Sequence, residues 1–257
     1  MPKPIKSLFK ALGFLLALNF LADGQYRSPI NLENGKVVKE KVYENSKQKL
    51  IYIKDHHLPH RSAKSYSNPD VRSYVYDVQK DILLILDELY RENDVKLVGF
   101  EGFHAEYFLP KKSGILEKSD SRADAVKYAL KILADSSSAA YLRAVPLIEE
   151  LYTDSVITIG VEDKGLFQAT DILEDYYIKQ KIPRKLHEEI TVKRRSYICV
   201  ENIIAQMKSR GIRSAALVFG SNHEETIISA LDSINAAQLG AEMVSYYVVE
   251  PKSYKQE

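Results

Sequence analysis

Five apolar runs alternate with helical patterns along this chain, and no other feature of the sequence constrains its fold as tightly. The runs are KLIYIKD (49–55), VKLVGFEG (95–102), DSVITIGVED (154–163), GIRSAALVFG (211–220) and AEMVSYYVVEP (241–251). Each is short and close to continuously apolar, which is the pattern of a strand buried on both faces. After the first run, Asn68, Pro69 and Asp70 offer a helix start. Val71, Val75, Val78, Ile82, Ile85, Leu86 and Leu89 then recur at helical spacing. Further helical patterns cover 121–135, 137–152, 165–180, 184–210 and 223–239. The alternation predicts an α/β fold with a mainly parallel sheet flanked by helices. Right-handed crossovers align the C-terminal ends of such strands along one edge, and ligands bind beyond those ends.

Four of the runs end in groups able to do chemistry. The first ends Asp55-His56-His57, with His60 nearby; the second ends Glu101-Gly102-Phe103-His104. The third ends Glu162-Asp163 and the fourth Gly220-Ser221-Asn222-His223-Glu224-Glu225. In a parallel sheet these side chains face one crevice. Imidazole and carboxylate are the usual ligands of zinc, manganese or iron, and without a metal they act as general bases and acids. The candidate catalytic residues are Asp55, His57, Glu101, Glu162, Arg195 and His223, with His57, Glu101 and His223 as the metal-ligand set. Strand ends are also polar simply because they meet water. On that reading Asp163 is a helix cap, and Glu224 and Glu225 favour a helix dipole. The adjacent Arg194 and Arg195 point different ways on a long helix, so either one faces the crevice and holds a carboxylate or both belong to a solvated helix face.

The N-terminus reads differently. MPKPIKSLFK carries three lysines and no acid, and the apolar ALGFLLALNFLA (11–22) follows, with small residues at Ala22 and Gly24. This matches a secretory signal peptide over 1–24, cleaved after Gly24, and the run is too short for a comfortable transmembrane helix. The expected location is exported, periplasmic or secreted, with no membrane attachment after cleavage. Residues 25–48 read as a polar lead-in to a single α/β domain over 49–257. The net charge of +1 argues against a nucleic-acid surface. Cys199 is the one cysteine, so no intramolecular disulfide forms, and its neighbours suggest a buried helix face.

The order of these pieces resembles a known superfamily. IKDHH (53–57), Gln79, GFEGF (99–103), GVED (160–163), RSYIC (195–199) and GSNH (220–223) are similar to elements of the TraB/Tiki-type metalloproteases, the erythromycin esterases and the ChaN-type haem-binding lipoproteins. The resemblance spans roughly 49–251. It implies an EreA/ChaN-like α/β sheet with the E-G and G-x-x-H elements in a common pocket. It also implies that Asp55, His57, Glu101, Arg195 and His223 fall on the superfamily's site positions. Lys54-Asp55 departs from the usual Gly-Glu, and Ser196 and Cys199 depart from the usual acid or amide and Met. Three functions stay open: an exported hydrolase of a peptide or ester bond, metal-dependent through manganese, cobalt or zinc; a haem, iron or ligand binder; and an inactive relative. The expected partner is a small-molecule or peptide substrate, and a homo-oligomer is left open.

Overall fold

A computed structural model of the chain describes residues 30–56, 68–104, 119–135, 144–153 and 155–255. The chain divides into two compact units, 1–31 and 32–257, and the second carries the fold described below. The stretch 1–24 expected as a signal peptide, His57 and His60 lie outside the described residues, as do the side chains of Phe103 and His104. Among the described residues no helix is long and apolar enough to cross a membrane.

Six strands form one sheet: β1 (Gly35–Lys41), β2 (Gln48–Asp55), β3 (Leu97–His104), β4 (Ile157–Glu162), β5 (Ser214–Gly220) and β6 (Val244–Pro251). Their order is β1-β6-β2-β5-β3-β4. All neighbours pair in parallel except β1, which runs antiparallel along β6. The protein is thus α/β with a mostly parallel sheet, and each of the five apolar runs forms a strand. β1 comes from the stretch expected as a polar lead-in. Its sequence GKVVKEK has no apolar run because an edge strand faces water, and lysines there discourage further pairing. The segment before it is held by the buried Glu88 carboxylate, which accepts from Glu33 N at 3.0 Å and Asn34 Nδ2 at 2.6 Å.

Helices cover both faces. α1 (Pro69–Asn93) starts at Asn68, whose side chain accepts from Asp70 N, with Pro69 in the first turn. It buries Val75, Val78, Ile82, Ile85, Leu86 and Leu89, the face that the spacing predicts. α2 (Arg122–Asp135) and α3 (Ala144–Leu151) pack with it. After β4 come α4 (Lys164–Ile178) and α5 (Arg184–Glu188). A π-helical segment (Glu189–Arg194) then runs directly into α6 (Arg195–Arg210). α7 (Glu224–Ala236) follows β5 through a 3-10 turn, Ser221–His223.

Strand alternation divides the core in two. Leu50 and Tyr52 of β2 face Cys199, Ile203, Ile227 and Leu231 of α6 and α7. Ile51, Ile53 and Asp55 point the other way, toward α1. Gly99 sets the approach of α6: a Cβ there would lie 2.5 Å from Val161 Cγ1 and 2.8 Å from Ile203 Cδ1. A side chain at 99 would hold the helix that carries Arg195 away from the sheet.

Candidate functional site

Four strand-end and helix residues meet at the carboxyl edge of the sheet on its α6 face: Glu101, Glu162, Arg195 and His223. All four are largely removed from solvent. Register and backbone bring them together. The pairing of β3 with β4 shifts between Phe100 and His104, and Gly102 sits at φ 90°, a left-handed conformation that only glycine adopts at little cost. This bulge turns the Gly102 N–H onto Glu162 Oε1 at 2.7 Å, which gives the glycine of the E-G pair its physical reason. Glu101 Oε2 accepts from the Gly220 N–H at 2.7 Å, tying the end of β3 to the end of β5. Tyr52, fully buried below, donates its hydroxyl to the Gly220 carbonyl at 2.9 Å. The 3-10 turn makes one revolution from Gly220, and three residues per turn return His223 over the strand end. That accounts for the Gly-x-x-His spacing.

Arg195 joins the two carboxylates. Its Nε donates to Glu162 Oε2 at 2.9 Å and its Nη2 to Glu162 Oε1 at 2.8 Å, a bidentate pair. Nη2 also reaches Glu101 Oε1 at 3.3 Å, and Nη1 reaches the Thr191 carbonyl at 3.3 Å. Burial opposes the charge on this guanidinium, but Glu162 and Glu101 outweigh it and hold Arg195 firmly protonated. Nε and both Nη2 hydrogens are thus directed onto carboxylates of the protein itself. Arg194 beside it is exposed, as the spacing of two adjacent arginines requires.

His223 is the other centre. Burial pushes its imidazole below the ordinary histidine value; Glu101 opposes that and Arg195 adds to it. The ring is therefore neutral at pH 7. Nδ1 lies 2.7 Å from Ser196 Oγ, and Nε2 lies 3.9 Å from Glu101 Oε1. Phe219 packs edge-on against the ring, with centroids 4.8 Å apart. Ser196 is fully buried, and nothing in the sequence marked it beyond its departure from the superfamily pattern.

The other described strand-end residues fall elsewhere. Asp55 ends β2 in register with Gly220, but alternation turns its carboxylate to the α1 face, where Gln79 Nε2 donates to Oδ1 at 2.5 Å. Gln79 Oε1 in turn accepts from Ala144 N at 2.9 Å, so this pair fastens α1 and α3 to the end of β2. His56 packs against Tyr74 of α1, with ring centroids 4.9 Å apart. Lys54 points to the α7 face and is paired with Glu224 at 2.7 Å and Glu250 at 3.2 Å. Asp163 caps α4 by accepting from Leu166 N at 2.9 Å, the structural role open to it. Cys199 is buried one turn along α6 from Arg195. Burial first, and then Glu162 and Glu101, push its thiol well above the usual range, which makes it a packing residue rather than a nucleophile. Surface hollows of about 540 and 520 Å³ lie away from the cluster, one along α1 and α2 at Tyr76 and Tyr128, the other between α6 and α7 at Tyr197 and Thr226.

Of the expected metal-ligand set, Glu101 and His223 come together, and His57 lies outside the described residues. Among the described residues no group of three or more His, Cys, Asp or Glu is placed to hold a metal ion. Comparison with known proteins finds no matching family model, no similar curated protein and no similar solved structure.

Proposed function

We propose that the protein is an exported hydrolase of a peptide or ester bond, in which His223 is the general base. One observation carries this reading: a buried, neutral imidazole whose Nε2 lies 3.9 Å from Glu101 Oε1. A hydroxyl donor about 2.8 Å from each atom spans that separation. A water held there donates one proton to Nε2 and the other to the carboxylate, which aims its oxygen for attack and supplies the base that removes the proton. Arg195 and Glu162 keep the Glu101 carboxylate fixed at the strand end, so that little reorganisation accompanies the reaction. A metal held by His57, Glu101 and His223, the ligand set read from the strand ends, would supply a Lewis acid and an acidified water to the same reading. Export rests on the basic and apolar N-terminal segment; N-terminal sequencing of the exported protein should begin at Gln25.

The test is a panel of ester and peptide substrates, run with and without manganese, cobalt or zinc. Turnover should fall by about 10²–10⁴-fold in His223→Gln, the usual worth of a positioned base, and also drop steeply in Glu101→Gln. Both variants should keep the native circular dichroism spectrum. Undiminished hydrolysis in His223→Gln would overturn the assignment. Absence of hydrolysis across the panel, together with a new absorbance band on adding haem, would overturn it in favour of a ligand-binding protein.

A further inference from the structure

Ser196 stands between two groups that determine where its proton lies. Its Oγ is 2.6 Å from the Val192 carbonyl and 2.7 Å from His223 Nδ1. A hydroxyl has one proton to give, and a carbonyl has none. Two oxygens 2.6 Å apart are at hydrogen-bond distance, so the hydroxyl proton lies toward the Val192 oxygen. Oγ then meets Nδ1 with a lone pair, and Nδ1 must be the protonated nitrogen. On the opposite side, Nε2 faces a carboxylate oxygen at 3.9 Å, too far for a bond that an Nε2–H would make.

We propose that Ser196 is a positioning residue that locks His223 as the Nδ1–H tautomer and leaves the Nε2 lone pair directed into the cluster beside Glu101. The device sits where the π-helical segment meets α6. Val192 lies in its last turn, four residues before Ser196, and its carbonyl receives the serine hydroxyl back along the helix. The same stretch sends Arg195 onto Glu162 and Glu101, so adjacent residues fix the base and the carboxylates it works beside. The functional meaning of the lock rests on the general-base reading above; the tautomer itself does not.

Nitrogen-15 spectra of histidine-labelled, full-length protein, recorded at a pH where the ring is neutral, read the tautomer with no substrate present. The His223 signals are assigned by their loss in His223→Gln. The expected result is a protonated, pyrrole-type Nδ1 and an unprotonated, pyridine-type Nε2. In Ser196→Ala the population should move toward Nε2–H, and Ser196→Thr, which keeps the hydroxyl, should restore it. A pyridine-type Nδ1 in the native protein would overturn the proposal, as would an unchanged spectrum in Ser196→Ala. If Ser196→Ala does not fold, the native spectrum and Ser196→Thr still decide. The wrong tautomer in an active hydrolase removes the lock and the use of Nε2 as the base while leaving hydrolysis itself; the expected tautomer in a protein without hydrolysis removes the function and leaves the lock.

Discussion

Burial of His223 ties its protonation to the stability of the fold. Its folded-state value lies below the ordinary 6.5, chiefly through burial, so an unfolded chain takes up the proton first as pH falls. The contribution of the neutral ring is complete above pH 6.5 and is lost as pH drops from there toward the folded value. Urea unfolding at a series of pH values should show a steeper acid-side loss of stability for the native protein than for His223→Gln. The acid limb of kcat/KM should likewise fall below 6.5. At this scale the sequence placed Glu101, Glu162, Arg195 and His223 at strand ends and on a helix, and those four do converge. It could not foresee that Arg195 would spend its donors on the protein's own carboxylates, because that depends on the depth at which α6 meets β3 and β4. Nor could it foresee that the buried, charged Lys54 would pair with Glu224 and Glu250 on the opposite side of β2 from Asp55.

Among the elements, α6 matters most, since it brings both Arg195 and Ser196 to the edge of the sheet. Its approach relies on the missing side chain at Gly99. Gly99→Ala forces a methyl against Val161 and Ile203, and overpacking of this kind costs about 1–3 kcal/mol. Denaturant melts should show that loss. Hydrolysis should fall by more than the lost folded fraction explains, because relief of the clash displaces the start of α6. The helical stretch 184–210 was legible from its periodicity. The π-helical turn inside it was not, since a one-residue insertion into the hydrogen-bond ladder scarcely changes the spacing of apolar residues. β1 escaped notice for a different reason: its stability comes from pairing with β6, which follows it by some 200 positions.

For the whole molecule, the single cysteine offers a direct readout of cooperativity. Cys199 has no solvent exposure and a thiol pushed far above its usual range by burial. A thiol-specific reagent should leave the native protein unlabelled, and labelling should rise with denaturant in step with global unfolding. Rapid labelling without denaturant would instead mean that α6 opens on its own. The sequence by itself determined the fold class and the five apolar strands, because burial on both faces writes a local and continuous pattern. It also determined that acids and histidines lie at the strand ends, because in a parallel sheet those positions follow each apolar run. Only the tertiary structure decided which of them meet. Strand order, the bulge at Gly102 and the facing of each side chain come from pairings between distant segments, and no local stretch of sequence records them.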